Sequence, residues 1–379
     1  MIRVMRVIAR ANVGGPALQV SVLMTGLDPD RFTSRLLVGS VDATEADYFD
    51  LRAPDVPRTQ VPGLGRTVRP TDDARAFRAI VREIDRFKPH IVHTHTAKAG
   101  VLGRIAARWC RVPATVHTFH GHLLRGYFSP AKTRAIVLTE RALAPSTTRI
   151  ATVGSRVRDD LLAAGIGQPE QYVVVPPGIT TEPAPARAAA RARLDLDDDA
   201  RVVAFVARLT AIKRPDRFAE IAHVVARDVK DAVFIVAGEG DLLGELRAQC
   251  ADLGDRVRFL GWRGDVETIY AAADVVALTS DNEGMPVSLI ECAMYGCPAV
   301  TTDVGSAREV VVDGVTGFVC ERDVDALAVP IKRLLDDSIL ASRLGEAARA
   351  RAQEMFSASR LIADTERVYR EIAATKGFA

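Results

Sequence analysis

Two glutamates, eight positions apart in the chain, carry the clearest chemical signal of this sequence. Glu283 and Glu291 lie in the segment DNEGMPVSLIECAMYGCP, residues 281–298. Because proline suits the first turn of a helix, Pro286 predicts a helix start. Glu283 then falls in the preceding loop, and Glu291 falls roughly 7 Å along the helix at ~1.5 Å per residue. One carboxylate could contact a sugar and the other a ribose, with a diphosphate at the helix N-terminus, where free N–H groups and the helix dipole attract anions. The plainer interpretation is an acidic loop followed by an incidental helical glutamate.

A pair of cations is the second signal. The segment VARLTAIKRPDRF, residues 206–218, follows an apolar strand candidate and places Arg208 and Lys213 where the strand gives way to a helix. Two fixed cations at the carboxyl end of a strand can neutralise the charge that develops on a diphosphate leaving group. Such chemistry requires no metal ion, and we expect no metal cofactor. Taken in isolation, the two side chains would also suit a solvated surface.

A glycine pair follows the first strand candidate. Gly14 and Gly15 precede Pro16 there, and a glycine at this point permits close approach of a helix N-terminus to a phosphate or a sugar. Tight-turn glycines are common, so Gly15 is a candidate only together with the other signals.

Histidines are concentrated in one stretch, since six of the seven lie between residues 90 and 122. His93 and His95 alternate along a strand candidate and therefore share a face. A zinc site is one interpretation, but no carboxylate or cysteine joins them at ligand spacing. Histidines at strand ends that face an active cleft fit better. His120, in HTFHGH just past a strand, is the candidate for a side chain near a reacting sugar, and His122 belongs to the same motif.

Both halves of the chain alternate strand and helix patterns. In the first half, apolar runs predict strands at 2–9, 34–38, 90–93, 113–117, 149–153 and 172–175. Helical periodicity predicts helices at 16–27, 72–88, 99–110 and 131–144. In the second half, strands are predicted at 201–206, 232–237, 256–260, 274–278 and 298–301. Helices are predicted there at 215–229, 241–253, 265–273, 286–296, 323–336, 338–354 and 358–373. This order predicts an α/β protein with two doubly wound parallel sheets.

A change of composition separates the halves. Residues 178–200 contain prolines, an Ala/Arg run and the acidic DLDDD, which is typical of a linker. We therefore expect one Rossmann-like domain over 1–180 and a second over 181–357, with a C-terminal helix at about 358–379 that packs back on the first. Open parallel sheets bind ligands at the carboxyl ends of their strands, so two facing sheets would form one cleft.

Length and composition agree with a globular, two-domain protein. The chain has 379 residues, of which 48% are hydrophobic and 26% charged. No apolar run approaches the ~18 residues that a membrane span needs, and the start resembles a core strand more than a signal peptide. The five cysteines are scattered, which favours reduced thiols. We expect a cytoplasmic protein.

Charge is distributed unevenly. Residues 1–183 hold 25 Lys and Arg against 16 Asp and Glu, a balance of +9, so the remainder carries −7 of the total +2. A basic N-terminal half could meet an anionic acceptor or, peripherally, a membrane surface. A solvated, arginine-rich face is the alternative, and no nucleic-acid partner is expected.

Together these motifs resemble the retaining glycosyltransferases of family 4, which have the GT-B fold of two Rossmann-like domains facing a central cleft. The resemblance covers nearly the whole chain. It is carried by Gly15, His120 in TFHG, Arg208 and Lys213 in ARLTAIKRPD, the E-x7-E pair Glu283 and Glu291, and DGVTGFVC at 313–320. The segments HTHTAKAGVLGRIAARW and HTFHGHLLRGYFS are more similar to members that assemble bacterial polysaccharides.

The resemblance implies an activity. A hexose or related sugar would move from a nucleotide-diphosphate donor, with UDP the commonest nucleotide, to a hydroxyl of a glycan, lipid-linked or small-molecule acceptor. The anomeric configuration would be retained. The domain over 181–357 would bind the nucleotide sugar, which is a co-substrate rather than a cofactor, and the domain over 1–180 would lie on the acceptor side.

The resemblance also implies roles for single residues. Arg208 and Lys213 would hold the diphosphate, and Glu291 the ribose. Glu283 would hold the transferred sugar, together with the backbone of Gly284, Met285, Pro286 and Val287. The nucleobase of the donor would contact the strand ends around Gly238 and Arg263. No residue is expected to act as a protein nucleophile, and the catalytic candidates are His120, Glu283, Arg208 and Lys213.

Two positions depart from the family pattern. Pro177 stands where relatives often carry asparagine, and Ser306 stands where a second glycine is common. Neither position is one of the charged candidates.

Other functions fit the sequence less well. A nucleotide-sugar epimerase on the same fold would convert the donor without an acceptor. An NAD(P)-dependent dehydrogenase would use AGEGDLLG, residues 237–244, but Leu243 occupies the place of the third glycine. A glycosidase would use the two glutamates but leaves the cations unexplained. A sugar-nucleotide sensor would bind without turnover.

Overall fold

The computed structural model describes residues 1–42, 45–121, 124 and 129–378. His122, from the histidine-rich stretch, and Ala379, the last residue of the expected C-terminal helix, lie outside the described residues. The chain divides into two compact units. The N-unit consists of Met1–Thr180 and Phe356–Ala379, and the C-unit consists of Thr181–Met355.

In the described part of the chain, the N-unit contains a seven-stranded sheet with all pairs parallel. Its strands are β1 (Ile2–Ile8), β2 (Phe32–Val38), β3 (Arg58–Gln60), β4 (Ile91–His95), β5 (Ala114–Phe119), β6 (Arg149–Thr152) and β7 (Tyr172–Val174). The spatial order β3-β2-β1-β4-β5-β6-β7 reverses direction between β1 and β4. That reversal is the switch point at which doubly wound sheets open a crevice for ligands.

The C-unit repeats this plan with a six-stranded parallel sheet. Its strands are β8 (Arg201–Val206), β9 (Ala232–Ala237), β10 (Val257–Gly261), β11 (Val275–Leu278), β12 (Ala299–Thr302) and β13 (Gly317–Cys320). The order β10-β9-β8-β11-β12-β13 places its switch point between β8 and β11.

Helices connect the strands in both units. In the N-unit they are α1 (Gly15–Gly26), α2 (Tyr48–Arg52), α3 (Pro70–Phe87), α4 (Ala97–Trp109), α5 (Pro130–Leu143) and α6 (Ser155–Ala163). In the C-unit they are α7 (Arg187–Arg193), α8 (Pro215–Asp228), α9 (Leu243–Gln249), α10 (Val266–Ala272), α11 (Val287–Met294), α12 (Ala307–Val310), α13 (Val324–Asp336) and α14 (Ser338–Met355). The last helix, α15 (Ala358–Lys376), belongs to the N-unit. None of the described helices has the length and apolar character that would let it cross a bilayer.

Each sheet is covered on both faces by apolar helix stripes. In the N-unit, α3 and α4 bury one face against Met5, Val7 and Val92, and α1 and α15 cover the other face around Ile2 and Leu361. The C-unit core gathers side chains from β8, β9, α8, α13 and α14. Burial on both faces explains why central strands such as β8 and β9 are apolar along most of their length.

The predicted fold class is confirmed, because both units are doubly wound parallel α/β structures. The predicted linker over 178–200 is wrong in part, since it contains α7. The Ala/Arg run has high helix propensity. In addition, the buried Arg191 guanidinium anchors the helix by donating to the Ala200 carbonyl at 2.7 Å and to Asp274 Oδ2 at 3.1 Å. The short strands β3 and β13 were not predicted, because three or four residues carry too little pattern.

Candidate functional site

The predicted donor-site residues of the C-unit lie in loops at the carboxyl ends of its strands. Arg208 and Lys213 follow β8, and Glu283 follows β11. Because β8 and β11 are neighbours at the switch point, two segments far apart in the sequence meet at this edge. This is the location at which ligands bind to doubly wound sheets.

Lys213 and Glu283 form a direct ion pair. Lys213 Nζ donates to Glu283 Oε1 at 2.5 Å. Ser280 Oγ donates to the same oxygen at 2.6 Å. Glu283 is only 8% exposed, so its charge is compensated by these two donors rather than by solvent. The predicted phosphate-binding ammonium and the predicted sugar-binding carboxylate are therefore partners, which the sequence did not indicate.

A second group of polar residues fixes the two loops to each other. Thr279 Oγ1 donates to the carbonyls of Lys213 at 3.0 Å and Arg214 at 2.9 Å. Arg217, which is buried, donates to the Thr279 carbonyl at 2.6 Å and to Asp281 Oδ1 at 2.9 Å. Arg214 also donates to Asp281, at 3.0 Å. These side chains hold the Lys213 loop against the Glu283 loop.

The charge state of Asp281 reflects this network. Burial acts to raise the pKa of Asp281, but the hydrogen bonds from Arg217 and Arg214 outweigh it and lower that pKa. The sequence analysis did not single out Arg214, Arg217 or Asp281, although they lie inside the two motifs 206–218 and 281–298. Two arginines in one motif and an aspartate in the other could have indicated that the two loops are joined by ion pairs.

The loop after β12 closes on Glu283 from another side. Gly305 has φ 48°, and a Cβ on it would lie 1.8 Å from the Glu283 carbonyl oxygen. Ser306 N donates to the Gly284 carbonyl at 2.9 Å. Ser306, one of the two positions that depart from the family pattern, therefore contacts the backbone of Gly284, next to Glu283. The other departure, Pro177, lies in the N-unit, where its carbonyl accepts from Arg360 at 2.7 Å.

Arg208 is exposed, and it forms no ion pair with any residue that the structure describes. Its loop is packed closely against Gly238, which follows β9. Gly238 has φ 143°, and a Cβ there would lie 2.0 Å from the Ala207 carbonyl oxygen. A glycine is thus required at position 238, because the Ala207 backbone lies too close for any side chain. The Arg208 guanidinium is available to an anionic ligand.

Glu291 lies on α11, near the helix start. The helix begins at Val287, with Pro286 immediately before it. Glu291 Oε2 accepts from Tyr270 Oη at 3.0 Å. Burial, and next the Glu291 carboxylate, hold the pKa of Tyr270 well above its usual value, so the phenol remains a donor. The Tyr270 ring stacks on Tyr295 with centroids 5.9 Å apart.

The backbone before α11 is positioned by burial. Met285 and Pro286 are buried, and Gly284 and Val287 are partly exposed. The Met285 side chain packs in the interior. The first N–H groups of a helix have no intrahelical acceptor and suit an anion or a sugar hydroxyl.

Arg263 follows β10 and is engaged by a neighbour. Its Nε donates to Asp265 Oδ1 at 2.7 Å and a terminal nitrogen donates to Asp265 Oδ2 at 2.6 Å. These hydrogen bonds lower the pKa of Asp265. Gly238 N donates to the Gly261 carbonyl at 2.8 Å, which brings the ends of β9 and β10 together. The Arg263 guanidinium is therefore held in place by Asp265.

The N-unit candidates lie at the carboxyl edge of the other sheet. Gly15 is the first residue of α1, directly after β1, and His120 follows β5. His120 Nε2 and His95 Nδ1 are 3.0 Å apart, at hydrogen-bond distance. His93 bonds the Tyr369 hydroxyl at 2.6 Å. The structure thus joins His120 to His95, whereas Arg208, Lys213, Glu283 and Glu291 lie in the other unit.

Four histidines of this stretch, His93, His95, His117 and His120, are held in the neutral form. Burial lowers the pKa of His120 to about 3, and burial also holds the pKa values of His93, His95 and His117 well below the usual one. Among the residues described, no group of three or more His, Cys, Asp or Glu side chains could hold a metal ion.

Two family models cover most of the chain. Residues 14–178 match the model described as "Glycosyl transferase 4-like domain". Residues 186–351 match the model "Glycosyl transferases group 1". The boundary between the two matches falls at the start of the C-unit.

Curated relatives carry related names. The chain is 31% identical over 294 residues to the UDP-Gal:alpha-D-GlcNAc-diphosphoundecaprenol alpha-1,3-galactosyltransferase of Escherichia coli, covering 74% of this chain and 75% of that one. It is 31% identical over 312 residues to the D-inositol 3-phosphate glycosyltransferase of Streptomyces bingchenggensis, covering 76% of this chain and 67% of the relative.

Solved structures share the fold. Anabaena HepE in complex with UDP and glucose superposes with a TM-score of 0.83 at 23% identity, covering 98% of this chain and all of that one. Sucrose-phosphate synthase of Thermosynechococcus elongatus superposes with a TM-score of 0.82 at 19% identity, covering 99% and 100%. The family models and the similarity to curated relatives show that this chain belongs to the glycosyltransferases of family 4, with the two Rossmann-like units of the GT-B fold.

Proposed function

We propose that this glycosyltransferase moves a hexose or related sugar from a UDP-sugar to a hydroxyl acceptor, with retention of the anomeric configuration. The observation that carries the proposal is the Lys213–Glu283 pair at the switch point of the C-unit, with the exposed Arg208 on the same loop as Lys213. The name of the E. coli relative includes UDP-Gal, and HepE has been solved with UDP, which supports UDP as the nucleotide.

The diphosphate would bind to Arg208 and Lys213. Lys213 has three N–H donors and can keep its bond to Glu283 while it donates to a phosphate oxygen. Arg208 offers a planar fork that matches phosphate oxygens. Together they would neutralise the negative charge that develops on the departing diphosphate.

The two glutamates would hold the two sugars of the donor. Glu291, oriented by the buried Tyr270 hydroxyl, would accept hydrogen bonds from the ribose hydroxyls. Glu283 has its Oε1 occupied by Lys213 and Ser280, which leaves Oε2 to accept from a hydroxyl of the transferred sugar. The backbone from Gly284 to Val287 would complete that contact.

Transfer would proceed on one face of the sugar. The bond between the anomeric carbon and the phosphate oxygen breaks, and the acceptor oxygen bonds to the same face of that carbon. The acceptor proton passes to the departing phosphate oxygen. Arg208 and Lys213 balance the charge, so the proposal includes neither a protein nucleophile nor a metal ion.

The acceptor is proposed as a glycan, a lipid-linked sugar or a small molecule. The E. coli relative is named for a diphosphoundecaprenol-linked acceptor, which favours the lipid-linked class. Gly15 stays a predicted donor-binding residue, and His120 stays a predicted catalytic residue near the reacting sugar. All five cysteines are free, which supports a reducing compartment such as the cytoplasm.

The test is a transfer assay with a panel of UDP-hexoses and UDP-N-acetylhexosamines, with and without a polyprenyl-diphosphate-linked sugar. We expect UDP release that depends on the acceptor, no loss of activity in EDTA, and a product with the donor's anomeric configuration by NMR. Conversion of the donor to a second UDP-sugar without acceptor would instead indicate an epimerase.

A further inference from the structure

A small cavity lies inside the N-unit, between the sheet and the helices α1 and α15. Its polar lining includes Gln19 on α1, His93 and His95 on β4, Thr118 on β5 and Tyr369 on α15. About 10 Å³ of the cavity is open to the centre of a water molecule, which is close to the room that one molecule needs. One small polar ligand can therefore be held here.

Two polar side chains at this cavity each have an atom without a partner. His95 Nε2 and Gln19 Oε1 are buried, and neither forms a hydrogen bond with any residue that the structure describes. Because an unpaired buried polar atom destabilises the fold, a ligand that bonds both atoms would be retained. A water molecule can do so, since it both donates and accepts hydrogen bonds.

The ring of His95 is supported by its neighbour on the same strand. The rings of His93 and His95 stack with their centroids 4.2 Å apart. His93 is itself fixed, because its Nδ1 lies 2.6 Å from the Tyr369 hydroxyl and its Nε2 lies 2.7 Å from Thr118 Oγ1. Both nitrogens of His93 are thus engaged, and the imidazole nitrogen left over at the cavity belongs to His95.

The second nitrogen of His95 is directed at His120. His95 Nδ1 and His120 Nε2 lie 3.0 Å apart, and both rings are neutral because burial lowers their pKa values. In such a pair one nitrogen is the N–H donor and the other is the acceptor, so the bond ties the tautomer of one ring to that of the other. The half-buried His120 ring makes no other hydrogen bond in the described part of the N-unit. Its Nδ1 is therefore left to contact a sugar hydroxyl.

We propose that His95 is a positioning residue for sugar transfer, which orients the His120 ring through Nδ1 while a water molecule in the cavity holds its Nε2 to Gln19. His95 is 0% exposed and Gln19 is 2% exposed, so neither can contact a substrate and both act through His120. The inference rests on the proposed role of His120 beside the reacting sugar. A side chain that is misplaced there lowers turnover more than substrate binding, because the transition state requires the closer fit.

The experiment compares two amides at position 95. The amide atoms of asparagine are bonded to Cγ, as imidazole Nδ1 is, and those of glutamine lie one carbon farther out, near the place of Nε2. His95→Asn therefore keeps a hydrogen-bonding atom for His120, whereas His95→Gln keeps one for the water. We expect His95→Gln to lower kcat for sugar transfer by about tenfold and to change KM for the UDP-sugar by less than about twofold. His95→Asn should recover most of that loss.

Gln19→Leu tests the water molecule. This substitution removes the amide oxygen and keeps a side chain of similar volume. A crystal structure of the wild type should show an ordered water within hydrogen-bond distance of His95 Nε2 and Gln19 Oε1. The Gln19→Leu crystal should lack that water, and kcat should fall by about threefold, as expected for one lost hydrogen bond.

His117 provides the matched control. It is buried on the neighbouring strand β5, and its Nδ1 lies 2.8 Å from Thr94 Oγ1. Its ring packs against Gly100 of α4, on the opposite face of the sheet from the cavity. His117→Gln should lower the unfolding temperature, as His95→Gln should, but should keep kcat within about twofold of the wild type. A loss of kcat that follows the loss of stability in both variants would make His95 a structural residue only and would overturn the proposal.

NMR of the chain labelled with ¹⁵N-histidine gives a result that does not depend on transfer. The His120 ring nitrogen signals should move in His95→Gln, toward the average of the two tautomers, and should stay close to those of the wild type in His95→Asn and His117→Gln. Unmoved His120 signals in His95→Gln, a wild-type kcat in that variant, or a wild-type crystal without the water would each overturn the proposal. A wild type that transfers no sugar would refute the proposed function, whereas the crystal water and the His120 signals would still decide how His120 is held.

Discussion

Lys213 Nζ and Glu283 Oε1 lie 2.5 Å apart although 70 positions of sequence separate the two residues. The pair forms where β8 and β11 run side by side, at the switch point of the C-unit sheet. Neither charge is free in the folded chain, so any anion that binds Lys213 also changes the environment of Glu283. The proposed donor site is therefore a coupled unit rather than a set of independent contacts.

This coupling predicts a non-additive double mutant. Lys213→Met removes the ammonium that donates to the buried Glu283 carboxylate and leaves the donor Ser280 in place. We expect the variant to lower the free energy of unfolding by about 1–3 kcal/mol. Glu283→Gln removes the charge. The double variant should recover part of the loss, as denaturant unfolding can measure.

Lys230 offers the matched control, because it is exposed and lies in the same unit. Lys230→Met should stay within about 0.5 kcal/mol of the wild type. Strict additivity of the Lys213 and Glu283 substitutions would mean that the pair does not interact in solution.

Tyr270 should set the affinity for the nucleotide through Glu291. Tyr270→Phe removes the hydroxyl that donates to Glu291 Oε2 and keeps the buried ring. A hydrogen bond to a charged group is worth about 1.5–3 kcal/mol, so we expect UDP to bind at least several-fold more weakly in calorimetric titration. Tyr172→Phe is the control, since Tyr172 Oη donates to the Ile166 carbonyl in the N-unit. Equal UDP affinities in Tyr270→Phe and wild type would refute the positioning role.

Gly305 should tolerate no side chain. Its φ is 48°, and a Cβ at this position would lie 1.8 Å from the Glu283 carbonyl oxygen, so Gly305→Ala should displace the Glu283 loop. We expect a lower unfolding temperature together with a loss of sugar transfer. A Cβ on Gly244 in α9 would have no neighbouring atom within 4 Å, so Gly244→Ala should be neutral or stabilise the chain by up to about 1 kcal/mol. A wild-type transfer rate in Gly305→Ala would show that the loop position does not matter.

The buried histidines predict a loss of stability in acid. Burial lowers the pKa values of His93, His95, His117 and His120 in the folded chain. Below a pH of about 6.5 the unfolded chain binds protons that the folded chain excludes. Stability should therefore be complete above that pH and fall with decreasing pH, by up to about 1.4 kcal/mol per unit for each histidine.

Denaturant unfolding between pH 7 and pH 5 measures this slope, and NMR provides the residue-level check. The ring signals of these four histidines, three of them buried and His120 half-buried, should not titrate in that interval. His223, whose pKa is raised by its hydrogen bond to Asp252, should titrate and serves as the internal reference. A stability that is flat with pH would contradict the neutral, buried state.

Much of the architecture was readable from the sequence, and the reason is burial. Strands β8 and β9 are covered on both faces, so they appear as nearly continuous apolar runs. The helix α3 shows a clear periodic stripe because one face is solvated. The strand β3 has three residues and forms only because β2 offers an edge, so no local pattern marks it. The helix α7 depends on the contact between Arg191 and Asp274, which sequence patterns do not contain.

The candidate site likewise has a part that the sequence predicts and a part that it does not. Residue types and spacing were enough to predict Arg208, Lys213, Glu283 and Glu291 as site residues, because each motif is local. The pairing of Lys213 with Glu283 depends on strand order in the sheet, and the support of Glu291 by Tyr270 depends on packing between α10 and α11. Both relationships are tertiary contacts, so they cannot be predicted from the spacing of residues along the chain.

The central claim is that Arg208 and Lys213 together bind the diphosphate of the donor. Calorimetric titration of UDP into the wild type and into the Arg208→Ala/Lys213→Ala variant tests it most directly, with Arg322→Ala/Lys230→Ala as a control that removes two exposed cations elsewhere in the C-unit. We predict that the first variant binds UDP at least about a hundredfold more weakly, since two charge-assisted contacts are lost, and that the control binds like the wild type. Equal affinity in all three proteins would contradict the account.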